Sequence, residues 1–286
     1  MTPSYLEGIV YSFIAAILWG INGVIVKIGL KDIHPFHGTF ITILLSIFFL
    51  LPMMYATGSF TISGISHRSL IFLAIAGLTQ YFLGRGFSFS AVKYIGPSRA
   101  YSIISMRIIL SALFGVMILK EVMTKSLAFG TFLVFTGIYF TLTDKSGVIN
   151  RKGVTYALFS TLSRGVSPIF IKLGLIAGNV LLSNLISLIS ASVAFSLGTA
   201  VYGKVKIDRR SAIYMVVSSA VTLSAVIFYY MALSITPVTI VAPITNLSLF
   251  ITVVTSYLII QKIEKINIKI VIGAFLIVIG YYFVVK

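Results

Sequence analysis

Three arginines interrupt stretches of this sequence that are otherwise apolar: Arg85, Arg107 and Arg164. A guanidinium stays charged and offers five N–H donors in a planar fork, so its chemistry in such a place is to bind an anion. At the centre of a membrane-length helix it costs roughly 2.5–3.5 kcal/mol on insertion scales, and arginines there usually mark a pathway or a site. The six acids, Glu7, Asp32, Glu121, Asp144, Asp208 and Glu264, fall at the ends of apolar stretches, so none matches the arginines in depth. Backbone carbonyls, tyrosine hydroxyls, water or the anionic group of a solute remain as partners, and we assign the solute group to Arg164. Arg85 stands about six residues from the end of its stretch, roughly 9 Å at helical rise, close enough to snorkel to the interface. Arg107 is expected on the helix side opposite Ser98, Tyr101 and Ser105, so that it and Tyr101, both candidates, would line different surfaces.

Other polar residues share helix faces with these. Ser12, Trp19 and Asn22 fall on one side of the first stretch, Tyr81, Arg85 and Ser88 on one side of the third, and Tyr156, Ser160, Arg164 and Ser167 on one side of the sixth. The ninth offers Thr239, Pro243 and Asn246. Single serines and threonines are expected to serve helix packing. Trp19, Asn22, Tyr81, Ser167 and Asn246 are kept as solute-binding candidates beside the arginines and Tyr101. Pro168 removes the hydrogen bond to the carbonyl of Arg164. Its equivalent in an internal repeat is Gly23, so the two are expected to bend their helices as paired hinges, with Pro243 as a third.

Several chemistries are excluded. There are no cysteines, hence no thiolate or disulfide chemistry. No Ser/His/Asp set, metal-ligand spacing or glycine-rich phosphate loop occurs, so neither an enzyme, a metal nor a cofactor is expected. His34, His37 and His67 lie in loops or at helix starts, and no acid lies at depth, which disfavours a carboxylate-based proton cycle.

The elements that hold these residues are membrane spans. With 58% hydrophobic and 10% charged residues over 286 positions, the chain departs far from the roughly 25% charged residues of soluble domains. About 20 apolar residues cross a bilayer, and charges, prolines and glycines punctuate ten such stretches: 6–29, 35–56, 68–91, 97–119, 126–143, 153–173, 180–202, 211–232, 237–260 and 267–285. The net charge of +16 belongs to loop ends near anionic lipid, not to a nucleic-acid surface. The first stretch runs into a second without a cleavage site and is read as a true span.

Gly8–Leu30 recurs 145 residues later as Gly153–Leu175, with glycines, a tyrosine and Lys27/Lys172 in register. Glu121, Gly130 and Gly137 recur as Glu264, Gly273 and Gly280. The fold class is therefore all-α integral membrane, ten helices in two halves, 1–145 and 146–286. Five spans is an odd number, so the halves insert in opposite senses, a recurring transporter plan. Lys27 and Lys172 are expected to anchor at the interface, and Glu121 and Glu264 to form ion pairs at helix ends. Twelve lysines and arginines follow odd-numbered spans against five on the other side, which places both termini outside.

The stretches WGINGVIVKIGL from Trp19, AVKYIGPSRAYSIIS from Ala91, LKE ending at Glu121 and VAPITNLSLFITVVTSYLIIQKIEK from Val241 resemble the ten-helix, EamA-type branch of the drug/metabolite transporter superfamily. The resemblance covers essentially the whole chain. It implies transport of a small metabolite across the inner or plasma membrane, a cavity lined by spans 1, 3, 4, 6, 8 and 9, no cofactor, and termini in the cytosol, against the charge count. The chain departs from the family pattern where Arg107 replaces a proline and where Arg164 charges the sixth span.

The sequence thus reads as a multi-pass secondary carrier of a small organic solute, an amino acid or organic acid bearing a negative group, worked by alternating access. The alternative is a lipid-binding scaffold or subunit that transports nothing; a channel would need a longer polar stripe. The expected partners are the solute and the lipid bilayer, without nucleic acid. Oligomeric state is left open.

Overall fold

The computed structural model describes residues 3–60, 65–107, 109–110, 125–142, 150–175, 179–202, 207–261 and 267–285. Glu121, Asp144 and Glu264, with the expected helix-end pairs, lie outside them, as does the second half of span 4. The described chain is helical: α1 (Pro3–Gly29), α2 (Pro35–Ala56), α3 (His67–Ile95), α4 (Pro97–Ile104), α5 (Lys125–Leu142), α6 (Arg151–Gly174), α7 (Val180–Tyr202), α8 (Arg209–Ile235), α9 (Val238–Asn246), α10 (Ser248–Ile260) and α11 (Ile268–Val285). Helices α1 to α8 correspond to the first eight expected spans, α9 and α10 together to the ninth, and α11 to the tenth. Five of these stretches, Leu6–Gly29, Pro35–Ala56, His67–Ile95, Val180–Gly198 and Arg209–Ile235, are long and apolar enough by themselves to cross a bilayer.

The packing is that of a lipid-embedded bundle. Leu197, Leu258 and Phe48 point outward, whereas Ser12, Ser160, Ser187 and Ser219 are fully buried. Small hydroxyls let helices approach and bond across the contact. Ser160 Oγ donates to the Gly84 carbonyl at 2.8 Å, Ser187 to Leu73 at 3.0 Å, Ser219 to Thr42 at 3.2 Å and Thr252 to Gly20 at 3.0 Å. These hydroxyls therefore tie neighbouring helices together, whereas others, such as Ser12 and Ser46, bond back to the carbonyl four residues earlier in their own helix.

The repeated glycines show how the halves fit. A Cβ on Gly8 would strike Thr236 and Ile235, and one on Gly153 would strike Ile95 and Tyr94. At the other helix end Gly29 abuts Met215 and Gly174 abuts Leu73. Helix α1 thus runs antiparallel to α8, the third span of the other half, and α6 runs antiparallel to α3 in the same way. Helices α5 and α11 also cross antiparallel. Gly273 rests on the carbonyl of Gly137 and Gly280 on that of Gly130, contacts in which each repeat position meets its partner's counterpart. The two halves are inverted copies facing each other.

Helix ends follow local chemistry. Asp208 accepts from the backbone N–H groups of Arg210 and Ser211, Asn150 from that of Lys152 and Ser66 from that of Ser69. Proline opens α2 and α4, where its missing N–H would have no helical partner. Gly96, with φ +82°, makes the turn between α3 and α4 that a side chain would strain.

The helix interruptions lie away from the expected hinges. Helix α1 is unbroken through Gly23 and α6 through Pro168. Instead α4 stops at Ile104 and turns at Ser105–Met106, while α9 and α10 part at Leu247, four residues beyond Pro243. The third interruption is a wide π turn over Leu78–Arg85 inside α3. Gly23 has a different local reason to be glycine: a Cβ there would come within 2.7 Å of the Tyr101 ring.

Lys27 and Lys172, expected to anchor at the interface, bond to protein carbonyls. Lys27 Nζ donates to the carbonyls of Val92 and Lys93 at 3.2 and 2.8 Å, and Lys172 Nζ to that of Thr236 at 3.3 Å. Carbonyls at helix ends carry the negative end of the helix dipole and attract these ammonium groups.

Candidate functional site

Spans 1, 3, 4, 6, 8 and 9 meet around two small adjoining cavities, each of about 30 Å3. Trp19, Tyr101 and Arg164 border both and form the partition between them. The first cavity adds Arg107, Ser105, Asn246 and Ser248; the second adds Asn22, Gln80, Tyr81, Arg85, Ser88 and Thr222. Of the sequence candidates, only Ser167 is left out. It is buried and borders neither cavity, and its hydroxyl finds no partner among the described residues.

The interruptions explain how these side chains converge. Because α4 ends at Ile104, Arg107 is no longer held opposite Tyr101 and Ser105; the turn at 105–106 brings it round to the same cavity. That corrects the expectation of separate surfaces. Its Nε donates to Asn246 Oδ1 at 3.2 Å, across to the α9–α10 break. The two broken spans therefore meet at the site.

Arg85 does not snorkel. Helix α3 extends to Ile95, which leaves Arg85 about 15 Å from its end at helical rise. The residue is only 7% exposed. Its guanidinium carbon lies 4.7 Å from the centre of the Tyr81 ring, and Tyr81 in turn donates its hydroxyl to Asn184 Oδ1 at 2.5 Å. Gly84, beside Arg85, lets Arg164 approach α3, since a Cβ there would press on the Arg164 stem at 2.6 Å.

Trp19 is the shared platform. The guanidinium carbons of Arg107 and Arg164 lie 6.0 and 5.9 Å from its ring, and Tyr229 packs against it at 5.2 Å between centroids. Cation–π attraction of about 0.5–2 kcal/mol offsets part of the cost of holding each half-buried charge there. It does not satisfy N–H donors. Among the described residues neither Arg85 nor Arg164 pairs with an acid, and Arg85 Nη1 and Arg164 Nε have no hydrogen-bond acceptor.

The second cavity concentrates such atoms. Asn22 Oδ1, Ser88 Oγ and Thr222 Oγ1 are likewise buried without a hydrogen-bond partner. Leaving a buried polar atom unmatched costs about 1–3 kcal/mol. Five such atoms on the residues of one cavity, two of them on arginines, make a lining suited to a polar, negatively charged guest.

Sequence reasoning missed Gln80 and Thr222 on the second cavity and Tyr229, which packs behind Trp19. Thr222, Val226 and Tyr229 repeat at helical spacing along α8, a usable signal, but tyrosines in an apolar span also read as ordinary core.

Known proteins resemble this chain in sequence and fold. The description "EamA-like transporter family" matches the chain twice, over residues 6–143 and 151–286. An uncharacterized transporter of Archaeoglobus fulgidus is 31% identical over 123 residues, a match spanning 43% of this chain and 41% of that protein. A crystal structure of a protein with 16% identity superposes with a TM-score of 0.71, covering 96% of this chain and 94% of the other. At that identity the likeness shows the fold alone. With one family description matched in tandem over nearly its whole length, the chain belongs to the EamA-like transporter family of multi-pass membrane proteins.

Proposed function

We propose that the protein is a secondary transporter of a small organic anion or zwitterion, such as an organic acid or amino acid, working in a cell membrane. The observation that carries this reading is the pair Arg85, buried, and Arg164, half-buried: Arg85 Nη1 and Arg164 Nε are each enclosed without an acceptor, beside a cavity without a described acid. A carboxylate lodged there would accept from both guanidinium groups and offset their charge. Asn22 Oδ1 on the same cavity would accept an N–H or O–H of the solute.

Cavities of about 30 Å3 hold roughly one water molecule each, whereas organic ligands occupy about 300 Å3 or more. Binding therefore requires the partition of Trp19, Tyr101 and Arg164 to move. In the proposed cycle the inverted halves rock about this partition and open it to one face at a time. Gly23, Pro168 and Pro243 are proposed to give their helices the compliance for that motion.

The test is uptake and counterflow in proteoliposomes, preceded by a thermal-shift screen against organic acids, amino acids and cationic compounds. Stabilisation by anions, with counterflow of the same compounds, is expected. Selective stabilisation by cations overturns the anion assignment, and absence of counterflow for every stabilising compound favours a non-transporting lipid-binding scaffold.

A further inference from the structure

A larger cavity lies away from the central site, at the membrane face where α1 and α3 end and α8 begins. It measures about 380 Å3 and is bordered by Lys27, Lys31, Asp32, Lys93, Arg210 and Ser211. Four cations stand against one acid in its lining. We propose that this cavity is a second, separate anion site, built for a phosphate group at the depth of the lipid headgroups.

The arrangement is held in place by the fold. Lys93 Nζ donates to the Ile33 carbonyl at 2.6 Å, which fixes the end of α3 against the loop after α1. An ammonium has three donors, and this bond uses one of Lys93's. Lys27, bonded to the carbonyls of Val92 and Lys93, holds the same corner from the α1 side. Both ammonium groups are therefore placed by backbone contacts that do not depend on a ligand. Lys31 and Arg210 are exposed at the rim and are not needed for that scaffold.

Phosphate fits these groups better than a carboxylate does. Its oxygens point in tetrahedral directions and can accept from cations on three different helices, whereas a carboxylate is flat and suits one guanidinium fork. Lysine ammoniums act as point charges without a fixed plane, as a tetrahedral oxyanion requires. The last turns of α1 and α3 and the first turn of α8 lie where membrane helices meet lipid phosphates, and basic pockets between helices bind such headgroups. Asp32 limits the excess charge and should weaken binding. A lipid phosphodiester and a free phosphate in solution share this chemistry, and the experiment separates them.

The test uses the full-length protein purified in neutral detergent. Two probes are titrated, a short-chain phosphatidylglycerol and inorganic phosphate, with thermal unfolding and equilibrium binding as readouts. At least one probe is expected to bind and stabilise. Replacing both rim cations (Lys31→Gln with Arg210→Gln) should weaken its binding roughly thirtyfold, since each basic group near a phosphate surface contributes about one kcal/mol. Asp32→Asn should strengthen it. Arg164→Gln should leave it unchanged, which separates this site from the central one. Binding of the lipid alone assigns the site to a headgroup, and binding of inorganic phosphate assigns it to a soluble anion. The proposal is overturned if neither probe binds, or if binding survives the rim substitutions or is abolished by Arg164→Gln. Should the double variant fail to fold, weaker or unchanged binding in Asp32→Asn overturns it as well.

Discussion

Lys27 and Lys172 hold the same position in the two halves, and each ties the end of its helix to the end of its half's third span. Lys27 reaches two carbonyls, Val92 and Lys93, and Lys172 reaches one, Thr236. A hydrogen bond from a charged donor contributes about 1.5–3 kcal/mol. Lys27→Met is therefore expected to lower the unfolding temperature in detergent more than Lys172→Met. Equal losses, or none, would show that both ammonium groups serve the lipid interface instead.

Arg164 supplies a sharper test. Arg164→Ala is expected to abolish uptake while the protein still inserts and purifies, since losing one charge-assisted bond to a solute alone costs tenfold or more. Arg164→Lys keeps the charge without the fork and should retain part of the activity, with weakened apparent affinity. Unchanged uptake by Arg164→Ala would remove this residue from the solute site.

Gly23 lies so close to the Tyr101 ring that a methyl group must displace it. Gly23→Ala is expected to destabilise by about 1–3 kcal/mol, the usual range for overpacking, and to slow transport by pushing Tyr101 into the partition. Adding Tyr101→Leu should restore stability. If Gly23→Ala alone is harmless, the helix contact is looser than its geometry indicates.

His34, at the start of α2, has its pKa depressed by burial first and then by the positive charges of His37 and Lys93. A base whose folded pKa lies below its unfolded value of 6.5 takes up its proton more readily when unfolded. Its contribution to stability is complete above that value and is lost as pH falls from it towards the folded pKa. Thermal unfolding between about pH 7.5 and 5 should show this loss, and His34→Gln should flatten it. An unchanged profile in the variant would assign the dependence to another group.

The repeat, the inversion and most of the site were legible in the sequence because they depend on residue identity at fixed offsets. Gly8/Gly153 and Gly29/Gly174 could be matched without knowing what they touch, and the structure supplies the contacts. Trp19, Asn22, Tyr81, Arg85, Tyr101, Arg107, Arg164 and Asn246 stood out because polar or bulky groups are conspicuous in apolar spans, and they do border the two cavities. What could not be read was geometry set by broken helices. Placing Arg107 opposite Tyr101 assumed a regular helix past Ile104, and letting Arg85 snorkel assumed that span 3 ended at residue 91. Tyr229 and Tyr230 were passed over because burial against Trp19 or Ser187 is a tertiary fact that an apolar run conceals.

The wide turn over Leu78–Arg85 has a consequence for how the halves could diverge. Span 3 occupies the 29 residues His67–Ile95 and its counterpart the 27 residues Arg209–Ile235, so the first half carries extra length within this span. A π turn accommodates an added residue inside a helix, and each residue gained turns everything beyond it by about 100° about the axis. A one-residue deletion within 78–85 would therefore act as a dial, swinging one side of the wide turn relative to the other and separating Arg85 from Tyr81 or from the cavity without changing a single side chain. Charge at the centre of this bundle is thus set by winding as much as by composition, and a half with regular winding could keep the same residues yet present a neutral face.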